Sequence, residues 1–281
     1  PAKALAAQGF HLDFAPVSPD GQLDIEAFLS LMGPDLLLAS VMLVNNETGV
    51  IQPVREAASL AHSSGAYFHC DAAQAAGKIA IDVGELGVDY LSLSAHKCYG
   101  PMGIGALYIA AGAPKPTPLT FGGGQQQGIR PGTEPVSLIA GFGAAAHSAA
   151  GQLEADQIHA LRSVQQLLAA LQQRQLRFTP ITRNAPVVPG TAALHFPGID
   201  ADQLCAFVAP HVSISTGSAC TSGQLSMSHV LDAMGFSPEY AKGVVRFFCH
   251  RYLDETAILT AAGHIADAAE RSRLATGDIR Q

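Results

Sequence analysis

Short apolar runs alternate with amphipathic ones through the first half of the chain. Residues 36–43 form a continuous apolar run, which predicts a strand covered on both faces. Residues 54–64 carry a helical pattern that Gly65 stops. Residues 66–71, 89–94 and 104–109 are again short and strand-like. Strand and helix therefore alternate at the spacing of an α/β sheet, mostly parallel. Functional residues of such sheets gather outside the carboxyl ends of the strands. Asn45, Asn46, Asp71 and Lys97 all lie just after predicted strands.

The pattern changes after Pro135. Residues 136–175 hold few breakers apart from Gly141, Gly143 and Gly151, and predict one or two long helices. A strand near residues 191–196 precedes a helix opening at Asp200, where Gln203 has the spacing of a reciprocal N3 partner. Ser237, Pro238 and Glu239 mark another helix start, with Pro at the first helical position. A strand over residues 244–250 and a helix over 254–274 complete the chain. This half predicts a smaller α+β unit. We expect two domains, residues 1–150 and 151–281, the first holding the ligand-binding sheet. The chain opens on Pro1 and a helix-like run ended by Gly9, without the layout of a signal peptide, so it is expected to begin inside a larger protein.

Composition narrows the function. Of 281 residues, 48% are hydrophobic and 14% charged, which excludes intrinsic disorder. The net charge of -7, with no runs of Lys or Arg, argues against a nucleic-acid or anionic-membrane partner. No apolar stretch reaches the roughly 18 residues of a membrane span, so a soluble protein is expected. The five cysteines are odd in number and lack metal-ligand spacing, which suits free thiols in a reducing cytoplasm. The eleven histidines are scattered, and a metal site is not expected.

Three positions carry candidate chemistry. Lys97 follows a buried strand and precedes a glycine-punctuated turn; a lysine desolvated there becomes a Schiff-base nucleophile, although taken alone a lysine in a loop reads more often as a surface residue. Asp71 stands 26 residues earlier at another strand end, where a carboxylate can keep a pyridine nitrogen protonated, or can merely cap a helix. Cys220 lies among small residues from Ser215 to Gly223, a setting for an accessible thiolate rather than a packed core thiol. Cys70, Cys98, Cys205 and Cys249 read as plain core residues.

Five ordered strings make the pattern specific: Val-Asn-Asn-Glu-Thr-Gly (44–49), His-Cys-Asp-Ala-Ala-Gln (69–74), Ser-Ala-His-Lys (94–97), Arg-Pro-Gly-Thr-Glu (130–134) and Gly-Ser-Ala-Cys-Thr-Ser-Gly (217–223). In order and spacing the chain resembles the NifS/IscS type of cysteine desulfurase, a pyridoxal-phosphate (PLP) family with the class V aminotransferase fold. The resemblance implies a PLP-dependent transferase (aspartate-aminotransferase-like) fold, with a mostly parallel large domain and a smaller α+β domain. It implies that Lys97 holds PLP as a Schiff base and moves the substrate proton. Asp71 would face the pyridine nitrogen, Asn46 and Gln74 the ring hydroxyl side, and Ser94 and His96 the phosphate. Thr133 would reach the phosphate of the partner's cofactor in a homodimer with shared active sites. Asn46 and Arg246 would bind the substrate, Arg246 clamping its carboxylate, and Cys220 would accept sulfur from L-cysteine and pass it to an acceptor protein for iron–sulfur cluster or thio-cofactor synthesis.

Two departures stand beside the resemblance. Gln127 occupies a place where the family usually has a basic residue, and the family's N-terminal phosphate loop and ring-stacking residue are not found. A selenocysteine lyase, an aminotransferase of the same fold, or an inactive scaffold fragment remain as alternatives.

Overall fold

The computed structural model describes residues 2–217 and 227–277. Its first half runs α1 (Ala2–Ala6), α2 (Ile25–Ser30), β1 (Leu38–Met42), α3 (Val54–Ser63), β2 (Tyr67–Asp71), α4 (Val83–Leu86), β3 (Tyr90–Ser94) and β4 (Gly105–Ile109). The strands lie in that order in one sheet. β1, β2 and β3 pair parallel, while β4 returns antiparallel along β3. Met42 stands opposite Asp71, and Asp71 opposite Ser92, so β1 and β2 end level at one edge of the sheet and β3 runs two residues further, to Ser94.

Side chains alternate across a pleated strand, and here the alternation separates two unlike faces. Ala39, Phe68, Cys70 and Leu91 are buried on one face. α3 supplies Val54, Ala57, Ala58 and Ala61 to the same core. Their i, i+3, i+4, i+7 spacing makes one narrow stripe of small side chains, which lets the helix pack close. The other face is open: Leu38 and Ser40 are exposed, and Tyr67, His69 and Ser92 are half-buried. The expectation that residues 36–43 form a strand covered on both faces is therefore corrected. The reason is visible in the neighbours, since β2 and β3 place His69 and Ser92 on the uncovered face where packed apolar residues would otherwise stand.

The second half comprises α5 (Val136–Gln173), β5 (Thr179–Pro180), β6 (Thr191–His195), α6 (Ala201–Val208), β7 (Ser215–Thr216), α7 (His229–Ala233), α8 (Pro238–Ala241), β8 (Val244–Phe248) and α9 (Glu255–Gly277). Where the pattern allowed one or two helices after Pro135, a single helix of 38 residues forms. The four strands make an antiparallel sheet in the order β5-β6-β8-β7. Leu167 and Leu171 of α5, Phe196, Leu204 of α6, Val245 of β8 and Ile265 of α9 share its core. The caps follow the sequence in part. Ser237 accepts from the Tyr240 amide at 3.2 Å with Pro238 in the first turn, and Asp200 accepts from the Gln203 amide at 3.0 Å. The expected reciprocal arm differs, because the Gln203 side-chain oxygen accepts from Ser272 at 3.3 Å.

No helix among the described residues is long and apolar enough to cross a membrane. Leu171 of α5 is fully buried in the core it shares with α6 and α9, whereas Leu161 of the same helix is 47% exposed. Leu171→Ala should lower unfolding stability by about 2–5 kcal/mol, and Leu161→Ala by under ~1 kcal/mol. Urea unfolding of both variants checks the assignment, and equal losses would contradict it.

Candidate active site

The turn after β1 is built by one asparagine. Asn45 Oδ1 accepts from the amides of Glu47 at 2.8 Å and Thr48 at 2.9 Å, which closes the backbone over it. Gly49 completes the turn at φ 75°, and a Cβ there would stand 2.5 Å from Cγ2 of Thr191. Only glycine fits both constraints. The turn presents the Asn46 carbonyl toward the second sheet, where Arg246 Nη1 donates to it at 2.5 Å. Arg246 Nε donates to the Thr216 carbonyl at 3.0 Å and Nη2 to Ser215 Oγ at 3.0 Å. These bonds use three of its five N–H donors.

Asp71 ends β2 on the exposed side, and its Oδ1 accepts from the Ala73 amide at 2.9 Å. Gln74 follows in the same turn, its carbonyl and its side-chain oxygen both held by Lys78 Nζ, at 2.9 and 3.3 Å. On the open face beside them, His69 Nδ1 meets Ser40 Oγ at 2.8 Å and Nε2 meets Ser92 Oγ at 3.0 Å. Burial lowers the His69 pKa, against a smaller opposite effect of Asp71. A neutral ring with one donor and one acceptor suits two hydroxyl partners, because each hydroxyl can take either role.

Lys97 sits in a single helical turn, Ala95–Cys98, that follows β3 directly. It is half-buried, and His96 beside it is exposed. Ser94 Oγ and His96 Nδ1 lie 2.8 Å apart, so a hydroxyl and an imidazole form one polar pair. This turn is pressed against α5 through small residues. A Cβ on Gly100 would come within 3.2 Å of the Ala145 Cβ, and one on Gly77 within 3.2 Å of the Ala149 Cβ. Ala145 and Ala149 are one helical turn apart and face the same way.

The strand order thus brings Asn46, Asp71, Gln74, Ser94, His96 and Lys97 to one end of the first sheet, with Arg246 tied to Asn46 from the second. Thr133 stands apart from this group in sequence, exposed in the loop before α5, its carbonyl accepting from Arg130 at 3.2 Å. Cys220 lies outside the described residues. Two groups at the site carry no role in the sequence reading. Lys78 is one; Glu47 is the other, a buried carboxylate that accepts from Ser228 Oγ at 2.5 Å. A Cβ on Gly217 would lie 3.0 Å from the same carboxylate. The Gln74-to-Lys78 spacing of four was available in the sequence, whereas Glu47 and Ser228 are 181 residues apart and no local pattern links them.

Comparison with known proteins gives a consistent picture. A family model described as "Aminotransferase class-V" matches residues 1–264. A relative named cysteine desulfurase IscS, from Ehrlichia chaffeensis, is 38% identical over 272 residues, which are 96% of this chain and 66% of the relative. The chain therefore spans just under two thirds of that relative's length. A solved NifS-like protein superimposes with a TM-score of 0.87 at 32% identity, covering 96% of this chain and 71% of its own. A structure described as SspA in complex with cysteine gives a TM-score of 0.74 at 32% identity, covering 90% and 70%. These likenesses bear out the expected aminotransferase-like fold.

Burial, the largest effect, raises the Glu47 carboxyl above its ordinary 4.5, against the lowering influence of Ser228, Arg246 and His229. A carboxyl that holds its proton more tightly when folded favours folding at low pH, and that advantage fades as pH rises from about 4.5 through the folded value. Glu47→Gln keeps an acceptor for Ser228 without the titration. Its urea midpoint relative to the unaltered chain should therefore rise between about pH 4 and about pH 7. A constant difference across that range would show that Glu47 titrates normally.

Proposed function

The chain belongs to the class-V aminotransferase family, and from that premise we propose that it carries the catalytic centre of a PLP-dependent cysteine desulfurase. The reaction is conversion of L-cysteine to L-alanine, with the sulfur leaving as a persulfide on Cys220. One observation carries this reading. An asparagine turn, a carboxylate and a lysine follow the carboxyl ends of three adjacent parallel strands, with a guanidinium bonded to the turn.

The donor set fits PLP group for group. Asp71 offers a carboxylate to the pyridine nitrogen, Lys97 an amine to the aldehyde, Ser94 and His96 a hydroxyl and an imidazole to the phosphate, and Asn46 and Gln74 their amides to the ring hydroxyl side. When bound, PLP supplies an electron sink for the pair left at the substrate Cα. Asp71 keeps the pyridine nitrogen protonated, Lys97 takes and returns the proton at Cα, and Arg246 and Asn46 hold the substrate carboxylate.

The state of the other cysteines supports Cys220 as the reacting thiol. Burial raises the Cys70 thiol to about 12 and those of Cys205 and Cys249 to about 11, and it raises Cys98 too. Thiols so held are poor nucleophiles at neutral pH. On either side of Cys220 in the chain, a Cβ on Gly217 would lie 3.0 Å from the Glu47 carboxylate and Ser228 Oγ donates to it, and Glu47 is the chain neighbour of Asn46, which supports Cys220 as the acceptor.

The finer parts of the reading rest on the same residues. The two sheets, each with its own core, serve as a large and a small domain joined through α5. Thr133 serves the neighbouring subunit of a homodimer. The stretch before it exposes Met102 (81%), Leu119 (98%) and Phe121 (86%), apolar surface of the kind that subunit contacts bury. A cytoplasmic setting, which keeps the thiols reduced, and a protein acceptor for the sulfur complete the proposal.

PLP added to the purified chain should give a yellow absorption band that changes on adding cysteine and is lost in Lys97→Ala. Cys220→Ser should keep the band but release sulfide from cysteine at least about a hundredfold more slowly. Full sulfide release by the serine variant would reject Cys220. A band retained in Lys97→Ala would reject the Schiff-base lysine.

A further inference from the structure

Lys78 has no part in the roles assigned above, yet it is packed against the residues that fill them. It is half-buried at the end of the turn that begins with Asp71. Its carbonyl accepts from Gln157 Nε2 of α5 at 2.8 Å, and its Nζ stands 5.3 Å from the centre of the Phe248 ring. The charged and titratable groups around it are Lys97 and Cys98 from the turn after β3, Tyr99, Cys249 after β8, and the ion pair of Arg251 with Asp156 of α5. In that setting the amine is pushed down to about 8, first by burial and then by the positive charge of Lys97, with Cys98 acting the other way.

An ammonium so placed costs the fold stability that an apolar side chain of similar length would not. What it does instead is fix one amide. A protonated lysine has three N–H donors and no acceptor, so below about pH 8 the Gln74 carboxamide can meet it only through oxygen. Both oxygens of Gln74 are taken, the carbonyl at 2.9 Å and Oε1 at 3.3 Å. An unconstrained glutamine can present oxygen or NH2 to a ligand, but this one is left with NH2.

We propose that Lys78 is a positioning residue that locks the Gln74 carboxamide as a hydrogen-bond donor toward the oxygen substituent of the bound pyridine ring. The proposal rests on the reading of Gln74 as a ring contact. A donor at that oxygen favours its ionised form, so the lock sets the pH at which the bound chromophore changes protonation state. Lys78 acts only through Gln74 and touches neither substrate nor cofactor.

Two measurements test it, one of them independent of PLP. In the free chain labelled with side-chain 15N glutamine, the Gln74 resonance, identified by its loss in Gln74→Ala, should move with pH around a midpoint near 8. In Lys78→Met it should stay still over the same range. With PLP bound, Lys78→Met should shift the pH midpoint of the visible band by about half a unit or more. It should also weaken PLP binding about two- to tenfold. Lys78→Arg, which keeps a donor, should recover both, and a Lys78→Met melting temperature no lower than that of the unaltered chain separates the effect from unfolding. A Gln74 resonance indifferent to Lys78, or a visible band whose midpoint does not change in Lys78→Met, overturns the proposal. If the unaltered chain takes up no PLP, the cofactor reading fails for this chain, and the amide titration alone decides whether Lys78 locks Gln74.

Discussion

The guanidinium of Arg246 reaches from the middle of one sheet to a backbone carbonyl of the other, and the geometry of the site depends on that reach. The acceptor, Asn46 O, is available because Asn45 has drawn the Glu47 and Thr48 amides onto its own side chain and turned the chain outward. The donor is held from its own side by the Thr216 carbonyl and Ser215 Oγ, so it cannot swing. A charged donor on a neutral carbonyl is among the stronger uncharged-partner contacts a protein makes. Here it bridges a sequence separation of 200 residues. The candidate site thereby draws on both halves of the chain.

The rest of the site follows from parallel pairing. Parallel strands run the same way, so the segments after β1, β2 and β3 bring an amide turn, a carboxylate and an amine to one end of the sheet. Close approach of α5 to the Ala95–Cys98 turn then depends on what is missing from the side chains there: Gly100 lies against Ala145 and Gly77 against Ala149. The open face of the sheet is polar in a matching register, with Ser40, His69 and Ser92 linked in a row.

Much of this was legible in advance, for identifiable reasons. The strand positions were marked by apolar runs with glycine or polar stops, and observed and expected ends agree closely, as for residues 66–71 against Tyr67–Asp71. Ser237 and Asp200 were readable as caps because capping is a local bond between residues three apart. The coverage of β1 was not readable, since an apolar run cannot report whether a second layer exists to cover it. Nor was the second arm of the Asp200 cap, because Gln203 finds Ser272, 69 residues away, a competitor invisible to local spacing. The candidate site was legible as a set of strand-end residues. Its supporting bonds, from Arg246 to Asn46 and from Ser228 to Glu47, join positions that only the folded chain brings together.

The 38-residue helix α5 has a consequence for how the molecule comes apart. At 1.5 Å per residue it is about 57 Å long. Its early part rests on the Lys97 turn, and its later part forms the floor of the second core. A helix interior is all-or-none over a few turns, so neither sheet can shed its share of α5 without fraying what supports the other. Two cores that share one such beam are mechanically joined, so a change that weakens the middle of α5 bears on both.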